Sequence, residues 1–288
     1  NKEPSTRLVK TMIDQNASAT FAAVILVCLN AAACALEEGR EDDVGLQVQG
    51  VISGRNYGTY CEESYQNGWQ VTLPGTWDTC NNFNSRMNLL APRSFYYNLH
   101  GAAWHFDNSG DQENGGGLDG VDLVFVSTHG GAWTSPDRAA LAMWDQNSVS
   151  ISTDYRLGDE NKGLSIFAMH ACETLKFSGL NNRWTSAFDG GLRIAVGSHD
   201  KIFFSSSSTG NGSRFADNMN AGQSIRDAWK NALSGTSLDQ DAAVVSTGTN
   251  STNCTSRLDG INWSNLTTFA RLFDTAWQSI CQREWANL

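Results

Sequence analysis

Three stretches of this chain stay apolar on both faces for the length of a strand, and that pattern leaves few folds open. "GVDLVFVSTHGGAW" is apolar from Val121 to Val126 before it meets polar and glycine residues. "LSIFAM" at 164–169 and "LRIAVGS" at 192–198 repeat the pattern, and "DAAVVSTG" at 241–248 is a candidate fourth. A strand without a polar face has to be covered on both sides, which is the condition of a parallel sheet held between helices. The segments between them supply the helices. "SPDRAALAMW" opens on Ser-Pro and "SGLNNRWTSAFDG" has room for a short helix. "NAGQSIRDAWKNALSG" puts Ile225, Ala228, Trp229 and Ala232 on one face, with Gly235 near its end. At the C-terminus Phe269, Leu272, Phe273, Trp277, Ile280 and Cys281 are spaced as one helical stripe, which predicts a core-packing helix. The expectation is an α/β fold with a mostly parallel central sheet flanked by helices.

The first 47 residues differ from the rest. Lys2, Arg7 and Lys10 precede "ATFAAVILVCLNAAACALEEG", giving the order of a secretory signal: basic region, short apolar core, small residues. The block is shorter than a spanning helix and is interrupted by Asn30. Cleavage after Ala33 leaves Cys34 first, as at a bacterial lipoprotein junction, although Ala31 stands where such junctions usually carry leucine. A buried N-terminal helix is the alternative. The domain expectation is a signal over 1–34, an acidic tether over 35–47 and a single α/β domain over 48–288. It implies a secreted or cell-envelope protein of bacterial type that meets membrane only through a lipid anchor at Cys34. The formal net charge of −10, with no run of lysine or arginine, argues against a nucleic-acid partner. Within the domain, "LQVQGVISG" reads as a strand, and the aromatic stretch with Tyr57, Tyr60, Tyr65, Trp69 and Trp77 as irregular or β-rich packing. "SSSSTGNGS" at 205–213 reads as a flexible loop.

Export changes the cysteine arithmetic. Of the cysteines at 28, 34, 61, 80, 172, 254 and 281, the first leaves with the signal and the second is removed or lipidated. In an oxidising compartment Cys61 can bridge Cys80, and Cys254 can reach Cys281, although four cysteines allow three connectivities. Cys172 is left over as a candidate reactive thiol; a small buried hydrophobe is the plainer reading.

Ligands of open parallel sheets bind beyond the carboxyl ends of the strands. Two of the apolar runs end there with reactive groups, "VFVSTHGG" with His129 and "IFAMHACE" with Cys172. A thiol nucleophile needs a base, and an imidazole on a neighbouring strand end supplies one. Gly130 permits close approach and offers an amide to an oxyanion.

An apolar strand ending in His-Gly, followed some tens of residues later by another ending in Ala-Cys, resembles the pattern of the caspase, legumain and gingipain clan of cysteine peptidases. Here 43 positions separate His129 from Cys172, and the match covers roughly residues 118 to 200. The resemblance implies a caspase-like three-layer sandwich that cleaves peptide or protein substrates without a required cofactor. By carry-over Cys172 is the nucleophile, His129 the general acid and base, and the amides of Gly130 and Cys172 the oxyanion hole. The chain departs from the clan after the cysteine, where "CETLKFSG" delays glycine to position 179. His170 stands where caspases have glutamine and legumains glutamate, and is an alternative imidazole. Asp154, Arg156, His199 and Asp200 are candidate substrate-pocket residues. Asp107, Asp111, Glu113 and Asp119 lie among glycines in a composition suited to calcium. Gln112 occupies the position of the EF-hand glycine, so a solvated turn is the competing reading. The rival to an enzyme is a non-catalytic surface protein of peptidase-like fold that binds a partner or glycan.

Overall fold

The computed structural model describes residues 54–98, 117–131, 139–145, 148–151, 156–158, 163–176, 184–205, 208–236, 238 and 240–288. These belong to one compact unit spanning residues 48–288. The expected signal, the tether and, but for Gly54, the strand in "LQVQGVISG" lie outside the described residues.

Seven strands form the central sheet: β1 (Tyr57–Cys61), β2 (Arg93–Asn98), β3 (Leu123–Ser127), β7 (Ile166–His170), β8 (Ile194–Gly197), β9 (Ala242–Gly248) and β10 (Ser279–Trp285). Their order across the sheet is β10-β9-β8-β7-β3-β1-β2. The five from β2 to β8 are parallel, and β9 and β10 are antiparallel to their neighbours. All four apolar runs are strands of this sheet. Three short strands, β4 (Gly130–Gly131), β5 (Ala139–Ala142) and β6 (Ser148–Ile151), make a small antiparallel sheet directly after β3.

The side-chain period of two sorts each strand onto two faces. Leu123, Phe125, Ile166, Ala168, Ile194 and Val196 pack on one face, and Val124, Val126, Phe167, Met169 and Ala195 on the other. The helices are α1 (Thr76–Met87), α2 (Thr185–Asp189), α3 (Asn211–Asn220), α4 (Ile225–Ser234) and α5 (Ser251–Gly260). Apolar residues of α1, α3, α4 and α5 cover the first face, while Ala187 and Phe188 of α2, with Leu141 and Met143, cover the second. In α4 the expected stripe is buried as read: Ile225, Ala228, Trp229 and Ala232 face the sheet, and the Trp229 indole donates to the Gly197 carbonyl at 2.8 Å. Ser224 caps that helix by accepting from the Asp227 amide at 3.1 Å.

Cys61 is bonded to Cys80 and Cys254 to Cys281, and Cys172 is a free thiol. Each disulfide joins a strand to a helix on the first face. Such bonds persist in oxidising compartments, which fits an extracellular or envelope location. Among the described residues no helix is long and apolar enough to cross a membrane.

Three expectations about elements fail. "SPDRAALAMW" does not form a helix where it is described: Ala139–Ala142 is β5, held by pairing with β4 and β6 and by the Ala142 amide donating to the His129 carbonyl at 2.9 Å. Strand pairing here overrides the helix propensity of Ala-Ala-Leu-Ala. The C-terminal stripe is two short 3-10 turns, Leu266–Thr268 and Asp274–Ala276, followed by β10. The disulfide to α5 and seven residues paired with β9 fix that edge strand, so the helical spacing of its aromatics was coincidental. The glycine and serine segment yields to α3 at Asn211, earlier than the loop expected to 213.

Candidate active site

Strands β3 and β7 are parallel neighbours, with Ser127 opposite His170, so both chains leave the sheet at the same edge. The segment after β3 carries His129 and Gly130; the turn after β7 carries Cys172. Gly130 lies against that turn. A Cβ added there would stand 2.9 Å from the Cys172 nitrogen and 2.9 Å from Ala171 Cβ, and would run into the Cys172 carbonyl. The two segments therefore meet backbone to backbone, as only glycine at 130 allows.

His129 is half-buried and its backbone is fixed from both sides. Its amide donates to the Tyr65 hydroxyl at 3.2 Å and its carbonyl accepts from Ala142. The Tyr65 ring lies 5.6 Å from the imidazole, centroid to centroid, and the Tyr65 hydroxyl also bonds Thr128 at 2.9 Å. Imidazole Nε2 is 2.7 Å from the Val71 carbonyl. A carbonyl only accepts, so Nε2 carries the proton and Nδ1 is left as the basic nitrogen. Burial lowers the His129 pKa below 6.5, and the bond to Val71 partly opposes this.

The Cys172 sulfur is half-buried against the segment after β8. The Ile202 amide donates to Sγ at 3.4 Å, and the thiol in turn reaches the Ile202 carbonyl at 3.4 Å. Burial pushes the thiol pKa above 9; the Ile202 bond and Lys201 oppose the rise, while Glu173 and Asp200 add to it. At neutral pH the pair is thus a thiol and an uncharged imidazole. Glu173, directly after the cysteine, has φ of 53°, a left-handed conformation uncommon outside glycine. Its amide donates to the Asp200 carbonyl at 2.8 Å.

His170 is not the partner imidazole. It is fully buried, with Nδ1 3.2 Å from the Ser127 hydroxyl and Nε2 2.9 Å from the Asn211 amide nitrogen. Phe125, Phe204 and Trp229 surround the ring. Burial and, secondarily, the Arg214 charge hold its pKa down to about 3. A neutral imidazole in that cage is a core residue.

The other candidates separate. His199 and Asp200 follow β8 beside the Cys172 turn; His199 Nε2 is 4.0 Å from the Asp241 carboxylate, and Asp200 is exposed. Arg156 belongs to the opposite edge: it pairs with Asp274 at 2.7 Å and reaches the Asp189 carbonyl at 3.5 Å, among the residues that enter the strands. It does not line a pocket at Cys172. Asp154, Asp107, Asp111 and Glu113 lie outside the described residues. Asp119 is fully buried and its carboxylate takes the Gly158 amide at 2.7 and 2.8 Å and the Leu164 amide at 3.2 Å. Those bonds make it a loop-fixing residue at the entry to β3. Among the described residues no group of three His, Cys, Asp or Glu stands as a metal site. Sequence reasoning missed Tyr65, Val71 and Ile202. The first reads as one packing aromatic among several, and the other two act through backbone atoms that side-chain identity does not reveal.

The fold and the site define a layered α/β protein with an unpaired thiol and a half-buried histidine at the carboxyl edge of its sheet. Residues 61–269 match the family described as a domain of unknown function, DUF6345, and the chain belongs to that family. The match encloses both His129 and Cys172. No curated protein matches the chain.

Proposed function

We propose that the protein is an exported cysteine peptidase of caspase-like type, in which Cys172 is the nucleophile and His129 the general base and acid. The observation that carries this reading is the contact of Gly130 with the Cys172 backbone, which brings the His-Gly and Ala-Cys strand ends together on neighbouring parallel strands. The thiol gives its proton to His129 Nδ1 as sulfur attacks the carbonyl carbon of a peptide bond. The oxyanion so formed takes the amides of Gly130 and Cys172, and the imidazolium returns the proton to the leaving amine as the acyl-enzyme forms. Water then attacks the thioester, giving its proton to the imidazole and releasing the acid and the thiol. No step needs a metal or redox group. His199 and Asp200 border the site and are the pocket candidates that remain beside it. The signal-like N-terminus together with two disulfides supports secretion or an envelope location.

A preformed thiolate does not fit these environments, and the pH profile tests the difference. Activity that needs a neutral imidazole and a protonated thiol falls on the acid side below 6.5 and on the alkaline side above 9. Labelling with a panel of peptidyl electrophiles checks the nucleophile: modification of Cys172, abolished by Cys172→Ala, supports the reading, and an unlabelled folded protein sinks it. The Ile202 amide and carbonyl that engage the sulfur favour a second reading, a non-catalytic binding protein on the same fold. The unlabelled outcome would select it.

A further inference from the structure

Four arginines from distant parts of the chain meet at the amino edge of the sheet, opposite Cys172. Arg55 precedes β1, Arg193 precedes β8, Arg257 lies in α5 and Arg271 follows the turn at Leu266–Thr268. Each guanidinium is partly used in holding the segment 264–271 against the sheet. Arg55 Nη2 donates to the Ser264 carbonyl at 3.1 Å, Arg193 Nε to the Phe269 carbonyl at 2.7 Å and Arg257 Nη1 to the Ala270 carbonyl at 2.8 Å. Arg193 Nη1 and Arg271 Nη2 share the Ser165 hydroxyl at 2.5 and 3.3 Å, and Arg271 also donates to the carbonyls of Gly158 and Gly163.

These bonds leave donors over. Arg55 Nη1, Arg257 Nε, Arg257 Nη2 and Trp263 Nε1 are buried and find no acceptor among the described residues. Arg257 is 2% exposed, Trp263 1% and Arg55 7%, and the Arg55 guanidinium lies 5.5 Å from the centre of the Trp263 ring. All of these groups give hydrogen bonds and none can accept one, so they cannot satisfy each other. The charge is unbalanced in the same sense, since the four guanidiniums face two carboxylates, Asp122 beside Arg55, Arg193 and Arg271, and Asp119 beside Arg271. Burial first, and then the charges of Arg271 and Arg257, with Arg55 a smaller contributor, hold Arg193 down to about 10; Asp122 opposes them. Arg257 is also held down to about 10, by burial. Buried positive charge with surplus donors calls for an acceptor that brings negative charge.

We propose that Arg55, Arg193 and Arg257, with the Trp263 indole, bind a small oxyanion of the phosphate class. The planar guanidinium forks match the paired oxygens of such an anion, and Arg55 lies against the Trp263 ring, which places its free Nη1 beside the indole N–H. The site stands apart from the Cys172 edge, so it holds whether or not the protein is a peptidase.

The test is thermal melting of the full chain in inorganic phosphate against sodium chloride at equal ionic strength. A saturable rise in Tm with phosphate alone is expected. Arg55→Gln should raise the half-saturating concentration roughly tenfold, the worth of one charge-assisted hydrogen bond. Arg257→Met should abolish saturation. Trp263→Phe keeps an aromatic ring but removes the indole N–H, and should weaken binding several-fold; it and Arg55→Gln carry the test if Arg257→Met does not fold. Glycerol phosphate in place of inorganic phosphate separates the two sources of the anion: equal saturation assigns a phosphate ester, weaker saturation the free ion. A rise that chloride reproduces, tighter saturation by acetate than by phosphate, or half-saturation unchanged in the variants overturns the proposal.

Discussion

The two edges of one sheet are built in different ways. At the carboxyl edge of β3 and β7 two groups, His129 and Cys172, are half-buried and held by backbone partners: Val71 for the imidazole, Ile202 for the thiol. At the amino edge of the same strands Asp119, Ser165 and Arg193 are buried and bonded to loops and to the C-terminal segment. The first arrangement leaves groups able to react; the second fixes the entry to each strand and gathers charge. On the proposed reading chemistry and anchoring are separated by the length of a strand, and a change at one edge should leave the function of the other intact.

The sharpest test of that division is Cys172→Ala, which should abolish electrophile labelling and peptidase activity while the melting temperature stays close to the parent's. His129→Ala should lower activity by about 10² to 10⁴ with the fold retained, since it removes general acid and base work alone. Gly130→Ala sits at the boundary: relieving the added Cβ displaces the Cys172 turn, so activity should fall about a hundredfold and stability by about 1–3 kcal/mol, read by kinetics and denaturant melts. At the other edge Asp119→Ala leaves the Gly158 and Leu164 amides without their acceptor and should cost about 3 kcal/mol, with the rate of Cys172 labelling in the folded protein unchanged. A fall in that rate would break the separation.

His170 tests the comparison by pH. Its folded pKa of about 3 lies below the unfolded 6.5, so between those values the unfolded chain binds the extra proton. Its contribution is complete above pH 6.5 and is lost as pH falls toward 3, at roughly 1.4 kcal/mol per pH unit. Urea melts across that window should show the slope, and His170→Gln should remove this share of it. A loss of activity below 6.5 through His129 should be separable, read at pH values where urea melts still show a folded protein.

The meeting of the His129 and Cys172 segments at one edge was legible in the sequence because each residue is contiguous with the apolar run that positions it. Both cysteine pairings were legible for a similar reason, since each partner lies within a short stretch of chain. His170 was the alternative imidazole because alternation put it on the face of Cys172; what sets it aside is a cage supplied by Asn211, Phe204 and Trp229 from remote elements. The amino edge left no trace. Its four arginines are scattered over more than two hundred positions, and a chain with no basic run still assembles a basic cluster. Arg156 was misplaced on the same ground, because its distance from Cys172 depends on which end of β7 the preceding loop serves.

Both disulfides lie on the face covered by α1, α3, α4 and α5, one joining β1 to α1 and the other α5 to β10. The α2 face carries no disulfide among the described residues: Trp184, Ala187 and Phe188 pack against Phe167 and its neighbours, and single hydrogen bonds tie Ala187 to Leu157 and Asp189 to Trp277. Cross-links narrow the excursions open to the layer that carries them. In hydrogen exchange the amides of α2 should therefore open first, in a sub-global motion that leaves the cross-linked layer closed.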